Sequence, residues 1–157
     1  MLNIDADDSI NACLHIRKLA DADFCQSHYV MFCTKLGIIK KTCLSEYSRP
    51  RTNGVNAINI REDDKVVSVV LTNGSDDIIM ANRNGRAIHF NEDAVRPMGR
   101  TATGVRGMRL DEDDPTDEII GMICVNDPEK ETVLVVSEMG KGKRSVVSDY
   151  RVTIRGG

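Results

Sequence analysis

The sequence has no tryptophan and few other aromatic residues, with three tyrosines and three phenylalanines among 157 residues. Aromatic residues make up only 4% of the chain, too few to predict a surface that recognises single-stranded nucleic acid by base stacking. No hydrophobic run approaches the roughly 18 residues of a membrane-spanning helix, and no signal peptide is evident at the N-terminus. With 41% hydrophobic and 29% charged residues, the composition is that of one globular domain without a membrane partner.

The sequence also lacks the residue patterns of disulfide frameworks, metal sites and active sites. Its five cysteines are an odd number without a C-x-x-C pair, which predicts reduced thiols in a cytoplasmic protein. The three histidines lie far apart without the spacing of metal ligands, so no metal is expected. Because no convergent set of catalytic side chains is evident, we expect neither a catalytic site nor a cofactor in this chain.

What the sequence does contain is one pattern repeated three times. Each copy has an apolar run, an acidic turn, two further apolar runs, a glycine and a basic segment, in that order. The glycines, spaced 48 and then 55 residues apart, are Gly37, Gly85 and Gly140. An aromatic or apolar residue follows each glycine ten positions later, and this equivalence favours a packing role over a nucleophilic one for Tyr47 and Tyr150.

Strands are favoured throughout, because valine, isoleucine and threonine are frequent and helical periodicity is weak. In the second unit we predict strands at 38–44, 55–60, 66–71 and 78–82. Strands at 2–4, 10–16 and 29–34 precede them, another at 143–147 begins the last unit, and only residues 11–19 are compatible with a helix. A four-stranded unit that repeats every ~40–55 residues predicts an all-β, propeller-like fold.

The predicted strands are enough for about three blades, fewer than a closed propeller contains. We divide this single repeat domain into a partial blade at 1–36, repeats at 37–84 and 85–139, and the start of another repeat at 140–157. Both ends of such an arc expose unpaired strand edges. A second copy could supply the strand type that the first blade lacks, so self-association into a ring is also predicted.

The net charge of −3 conceals a segregation of charge along the repeat. Residues 35–60 carry five basic residues against one acidic residue, residues 83–109 six against two, and residues 141–155 five against one. Equivalent positions of stacked repeats lie on one surface. The three segments therefore predict a continuous basic stripe beside acidic turns, which is what a surface that follows a polyanion requires. Glycines near the arginines are expected to expose backbone N–H groups to phosphate.

Three stretches of the sequence resemble the C-terminal domain of the bacterial DNA gyrase A subunit. They are residues 47–54 (YSRPRTNG), 84–88 (NGRAI) and, most specifically, 95–107 (VRPMGRTATGVRG). The likeness covers nearly the whole chain and is least distinctive in residues 1–23. It implies a six-bladed β-pinwheel, a propeller relative whose blades exchange strands, of which this chain resembles about three blades.

The resemblance implies that the chain wraps duplex DNA on a basic outer rim and so supports negative supercoiling by an ATP-dependent type II topoisomerase. It also implies two partners, the gyrase catalytic core and the gyrase B subunit, together with a cytoplasmic, nucleoid-associated location. Sequence preference is expected to be weak, because deformability and not base edges would be recognised. The predicted phosphate contacts are Lys40, Lys41, Arg49, Arg51, Arg86, Arg96, Arg100, Arg106, Lys143, Arg144 and Arg155.

Two departures leave alternatives open. In the family, a Q-R-R-G-G-K-G box lies in the first blade. In this chain only Arg155-Gly156-Gly157 resembles the centre of that box. Because the complete box is missing, we expect the chain alone to bind DNA better than it wraps DNA. The corresponding subunit of topoisomerase IV has a related, degenerate pinwheel and is the first alternative. A propeller-type module that binds an acidic protein is the second, whereas an enzyme of propeller architecture is disfavoured.

Overall fold

The structure, a computed structural model, describes residues 9–156 of the chain. The helix α1 is Ala22–Ser27, and the strands are β1 Tyr29–Thr34, β2 Ile38–Cys43, β3 Val66–Thr72, β4 Asp77–Asn82, β5 Ala87–Asn91, β6 Val105–Arg106, β7 Ile119–Val125, β8 Thr132–Val136 and β9 Gly142–Val146. Short 3-10 turns follow three of the strands, at Leu44–Tyr47, Glu92–Ala94 and Val147–Asp149. None of the helices between residues 9 and 156 is long and apolar enough to cross a membrane.

Three antiparallel hairpins, β1–β2, β4–β5 and β8–β9, give the fold its repeat. Each hairpin turn ends in a repeat glycine that donates its backbone N–H to the carbonyl three residues earlier. Gly37, Gly85 and Gly140 have φ values of 82°, 80° and 77°, a left-handed conformation that glycine adopts without steric cost. The evenly placed glycines of the sequence therefore mark the same turn in each unit.

Each hairpin belongs to its own sheet. The strand orders are β3-β1-β2-β6, β5-β4-β7 and β8-β9. The chain that leaves one hairpin returns to the edge of the preceding hairpin, because β6 pairs with β2 and Val152 forms a bridge with His89 on β5. Neighbouring units thus exchange an edge segment. The predicted fold class is confirmed as an all-β, propeller-like pinwheel that forms an open arc.

The sheets are offset from the period of the sequence. The predicted unit boundaries at 36/37, 84/85 and 139/140 lie within the hairpin turns, so each sheet combines the end of one sequence unit with the start of the next. The division into four sequence units stays a prediction about the repeat. A sheet in this fold therefore does not coincide with one sequence repeat, because it contains strands from more than one repeat.

Three predicted elements differ from the structure. The segment of the next unit that is equivalent to residues 55–60 contains β6, which pairs with the preceding hairpin at β2. Residues 55–60 form no strand, because the described residues contain no hairpin before β1. Residues 10–16 form neither a strand nor a helix. The helix starts after Asp21, whose Oδ1 accepts the backbone N–H of Phe24 at 3.1 Å and caps the first turn. The predicted strand at 2–4 lies outside the described residues.

The main hydrophobic core lies between the first two sheets. Met31 and Ile39 of the first sheet pack in one cluster with Ile78 and Met80 of the second, and all four are fully buried. The edge strands β3 and β7 contact each other, and Ser68 Oγ on β3 donates to a carbonyl of β7 at 3.0 Å. These edges therefore meet, and the exchanged segments occupy the opposite edge of each sheet.

Candidate nucleic-acid interface

The three Arg/Gly segments follow one another in space, and the second and third lie along sheet edges of the preceding units. Asn59 N–H donates to the carbonyl of Ala102 at 3.4 Å, which connects the first segment to the second. Gly156 N–H donates to the carbonyl of Gly107 at 2.8 Å, which connects the third to the second. We call residues 48–60, 96–107 and 151–156 together the basic strip. Its backbone is continuous in space although its parts are distant in sequence.

The second segment of the strip is fastened to the edge of β2. Met98 N–H donates to the carbonyl of Lys41 at 2.8 Å, and β6 pairs further along with β2. A Cβ atom at Gly104 would lie 2.7 Å from the carbonyl oxygen of Ile39, and one at Gly107 would lie 2.8 Å from the sulfur of Met80. These two glycines therefore let the segment lie close to neighbouring strands, and the N–H of Gly107 donates to the carbonyl of Gly37 at 2.7 Å and is not available to phosphate.

Six predicted phosphate contacts lie on the strip, and their guanidinium groups have no carboxylate partner within residues 9–156. They are Arg49, Arg51, Arg96, Arg100, Arg106 and Arg155, of which Arg100 and Arg155 are partly buried and the others exposed. Basic residues elsewhere do pair, as Lys35 does with Glu118 at 2.8 Å. The positive charge of the strip is therefore available to an external anion.

The two partly buried arginines bind neutral carbonyl oxygens. Arg155 Nε donates to the carbonyl of Ala94 at 3.0 Å, and its Nη1 donates to the carbonyl of Arg106 at 2.5 Å. Arg100 Nη1 donates to the carbonyl of Glu46 at 3.4 Å. Since these acceptors carry no formal charge, each guanidinium keeps its full charge and further N–H donors.

Three other predicted contacts lie outside the strip. Arg86 is exposed beside the β4–β5 turn, and Lys143 and Arg144 are exposed on β9. Side chains of consecutive strand residues point to opposite faces of a sheet. Lys143 and Arg144 therefore lie on opposite faces, so the two cannot contribute to one face of the β8–β9 sheet.

Lys40 is not a phosphate contact in this structure. Its side chain is fully buried, although lysine is rarely buried in proteins. The ammonium donates to the carbonyl oxygens of Ala57 and Arg100 and lies 5.3 Å from the centre of the Phe32 ring. Burial, together with the nearby charge of Arg100, lowers the pKa of Lys40 to about 8. The positive charge assigned to the surface by the sequence analysis lies beneath the strip.

Lys41 is also wrongly predicted as a phosphate contact, because it forms a buried ion pair. Its Nζ lies 2.8 Å from Glu92 Oε2, and the two side chains are only 4% and 0% exposed. The ammonium also lies 4.4 Å from the centre of the Tyr29 ring. Glu92 follows β5 in the second sheet, so the pair joins the first two sheets to each other.

Glu92 is a structural residue that the sequence analysis missed. Its carboxylate accepts from Thr72 Oγ1 at 2.8 Å and from the backbone N–H groups of Gly74 and Asp76 at 2.8 and 2.9 Å. The equivalent positions in the other units are Leu44 and Val147, both fully buried. A carboxylate at an apolar position of a repeat is the signal that identifies a buried, partnered acid.

His89 occupies the position of the second unit that corresponds to Lys41 in the first. It is 2% exposed, and its Nε2 lies 3.0 Å from Asp77 Oδ2 while its Nδ1 lies 2.7 Å from the carbonyl of Tyr150. Two equivalent positions thus hold buried polar contacts between neighbouring segments. The histidine connects β5 to the residues before the third strip segment.

Acidic side chains outside the strip are concentrated in the turn of residues 111–118. Glu118 accepts from Lys35 at 2.8 Å and lies 3.6 Å from Arg83, and the hydrogen bond from Lys35 lowers the pKa of this carboxyl. The pKa of Asp114 is lowered too, chiefly by the hydroxyl of Thr116. These contacts keep the carboxylates charged, so the turn presents negative charge to solvent.

The five cysteines are free thiols, and their environments differ. Cys33 is fully buried, and burial raises its pKa to about 12. Cys13, by contrast, is exposed. In the part of the chain that the structure describes, no three side chains of His, Cys, Asp or Glu lie together as metal ligands would.

The family model described as "DNA gyrase C-terminal domain, beta-propeller" matches residues 28–73, 76–126 and 131–157. Each match contains one hairpin and begins shortly before β1, β4 or β8. The chain belongs to the DNA gyrase C-terminal domain family. The resemblance stated from residues 47–54, 84–88 and 95–107 is thereby confirmed.

Individual relatives from this family support the same assignment. The gyrase A protein of Staphylococcus epidermidis is 38% identical over 156 residues, which are 99% of this chain and 17% of that protein. The gyrase A protein of Staphylococcus aureus strain MRSA252 is 39% identical with the same coverage. This chain therefore spans less than a fifth of the length of the curated relatives it matches.

Solved C-terminal domains share the fold. The C-terminal domain of DNA topoisomerase IV aligns with a TM-score of 0.77 and 32% identity over 86% of this chain and 41% of that chain. The DNA gyrase A C-terminal domain aligns with a TM-score of 0.73 and 28% identity, over 85% of this chain and 43% of that chain. In both comparisons this chain corresponds to less than half of the other domain.

Proposed function

We propose that this chain is the DNA-binding and DNA-wrapping part of a gyrase A protein. Duplex DNA would lie along the basic strip and bend around the outer edge of the arc, in support of negative supercoiling. The observation that carries the proposal is the continuous strip itself, with six arginines that have no carboxylate partner within residues 9–156.

The distribution of charge explains how a chain of net charge −3 binds a polyanion. Phosphates are attracted to the guanidinium groups of the strip, which offer bidentate donors. The acidic turn of residues 111–118 repels DNA from another part of the surface and so restricts its path. Because these contacts are to the backbone, sequence preference would be weak and deformable sites would bind best.

Salt dependence of binding tests the proposal directly. If about six phosphate contacts form, affinity for a short fluorescein-labelled duplex should fall roughly a thousandfold between 50 and 200 mM salt. Replacing Arg96, Arg100 and Arg106 by alanine should reduce the salt slope by roughly 3. Lys130→Gln removes one positive charge outside the strip, where Lys130 pairs with Asp127, and should leave the slope unchanged. A flat salt response of the wild-type chain would contradict DNA binding.

Topoisomerase IV is a second candidate for the parent enzyme, because its C-terminal domain aligns with the higher TM-score and identity of the two solved structures. Wrapping separates the candidates. Relaxed plasmid that is nicked and religated in the presence of the chain should change its linking number if DNA is wrapped. A change in linking number would therefore favour gyrase, whereas binding without such a change is expected of either enzyme, because only Arg155-Gly156-Gly157 resembles the centre of the gyrase box.

The finer partner assignments follow from the same proposal. Within a whole gyrase, the module would act beside the catalytic core and the gyrase B subunit, in the cytoplasm at the nucleoid.

Self-association is a separate proposal: β8 and β9 pair only with each other in the described residues, and Leu134, Val136 and Val146 are exposed there. Sedimentation that shows only a compact monomer at high concentration would remove it.

A further inference from the structure

A polar concavity of about 720 Å³ lies where the first two segments of the basic strip meet. Arg49, Arg51 and Arg100 line it, together with Ser48 and Glu46. Arg100 Nε is buried there and has no hydrogen-bond partner among the described residues. Three guanidinium groups against one carboxylate give the concavity an excess of positive charge. We call it the arginine notch.

Buried Lys40 fastens the two walls of the notch to each other. Its ammonium donates to the carbonyl of Ala57 in the first strip segment and to that of Arg100 in the second. Tyr47 Oη donates to the same carbonyl of Ala57 at 3.0 Å. Because the backbone of Arg100 is held by Lys40, the position of its guanidinium group depends on a side chain that never reaches solvent.

This fastening is not shared by the other units in the described part of the chain. The residue equivalent to Lys40 in the second unit is Ile88, which is buried and has no side-chain donor. In the third unit it is Lys143, which is exposed on β9. The contact made by Lys40 therefore belongs to the junction between the first and second strip segments.

We propose that the arginine notch binds a single phosphodiester group of duplex DNA across two strip segments, and that Lys40 is its positioning residue. This inference rests on the proposed function. A guanidinium fork binds phosphate oxygens in fixed geometry, so three of them must be correctly placed relative to one another. Lys40 sets that placement through the backbone and makes no contact with the phosphate.

The first test compares Lys40→Met with the wild-type full chain in anisotropy titrations of a short fluorescein-labelled duplex at neutral pH. Methionine fills a similar volume without a donor. We expect Lys40→Met to bind about tenfold more weakly at 50 mM salt and to lose about 1–2 from its salt slope, although Lys40 touches no DNA. Lys130→Gln changes the net charge by the same amount and should bind as the wild type does.

A double-mutant cycle separates positioning from a general loss of stability. Arg100→Gln alone should weaken binding about as much as Lys40→Met, and combining them should add little, because both disable the same notch. Additive effects, or an unchanged affinity and slope in Lys40→Met, would overturn the proposal. Circular dichroism and a thermal melt establish that each variant is folded at the assay temperature.

If Lys40→Met does not fold, the notch is tested through its walls. Arg49→Gln and Arg100→Gln, which alter partly or fully exposed side chains, should be coupled in the same cycle, and independent effects would contradict a shared phosphate. Inorganic phosphate, added at constant ionic strength, tests whether the notch binds a free anion and not DNA. The duplex proposal is wrong if phosphate raises the melting temperature of the wild type but not of Arg100→Gln, while Arg100→Gln binds DNA as tightly as the wild type does. If the wild type binds no DNA, the proposed function itself fails. If the wild type binds DNA and the notch variants bind it equally well, only the proposal about the notch fails.

Discussion

The buried pair between Lys41 and Glu92 gives the sharpest stability prediction. Replacing Glu92 by leucine introduces the residue type found at the equivalent Leu44, yet it leaves the Lys41 ammonium, 4% exposed, without a counter-charge. It also removes the acceptor of Thr72 Oγ1 and of two backbone N–H groups. Removing one partner of a buried pair costs about 3–5 kcal/mol, and roughly 2–4 °C of melting temperature is lost per kcal/mol in a chain of this size.

The assay is urea unfolding of four proteins, which are the wild type, Glu92→Leu, Lys41→Met and the double variant. We expect Glu92→Leu to lose more free energy of unfolding than Lys41→Met, because the remaining Glu92 keeps three neutral donors whereas the remaining Lys41 keeps no carboxylate. The double variant should be more stable than the sum of the single effects by about 1–3 kcal/mol.

DNA binding by the same variants decides which account of Lys41 is correct. Since Lys41 is buried, Lys41→Met should keep the salt slope of the wild type wherever the variant is folded. A slope lower by about 1 would mean that Lys41 contacts phosphate, and the buried pair would then be the wrong description. Additive stability effects in the cycle would lead to the same conclusion.

Two further predictions concern the strip and the lysine beneath it. Gly104→Ala should lower the free energy of unfolding in urea by about 2–4 kcal/mol, because φ is +107° and the new Cβ would lie 2.7 Å from atoms of Ile38 and Ile39. As a control, the new Cβ of Gly99→Ala meets nothing within 4 Å, so that variant should change stability by less than about 0.5 kcal/mol. Equal losses of stability in the two variants would contradict the close approach at Gly104. For Lys40, whose pKa falls from 10.5 to about 8 on folding, the unfolded state binds the extra proton between these values. The stability of the wild type relative to Lys40→Met should therefore rise with pH across that window, by at most about 3 kcal/mol, and a flat or falling difference would contradict it.

Local sequence signals were sufficient for the hairpins. Gly37, Gly85 and Gly140 occupy a turn conformation that other residues adopt at a cost, and the β-branched runs beside them predict strands. The strand at 29–34 was predicted with its observed bounds. The segment at 55–60 was also predicted as a strand, yet it forms none, because an exchanged segment needs the edge of another sheet.

The candidate site was predicted less completely, for a physical reason that Lys40 and Lys41 illustrate. Both belong to a basic segment, and the count of charges cannot distinguish a lysine that faces solvent from one that faces the core. Alternation along β2 places them on opposite faces, where one meets two carbonyl groups and the other meets Glu92. Comparison of equivalent positions indicates only that Glu92, aligned with Leu44 and Val147, is unusual.

The order of residues along the chain was enough to establish the repeat, the strand-rich units and the three concentrations of positive charge, because spacing, propensity and charge are local properties. Which of those charges reach the surface depended on folding, since burial and hydrogen bonding involve neighbours 50 or more residues away, such as Glu92 for Lys41 and Arg100 for Lys40. The positions of the Arg/Gly segments also depended on folding, because the second and third segments each pair with the sheet of the preceding unit. Free energy gained by that exchange, through paired backbone groups and closely packed glycines, is what holds the arginines of these two segments along the sheet edges.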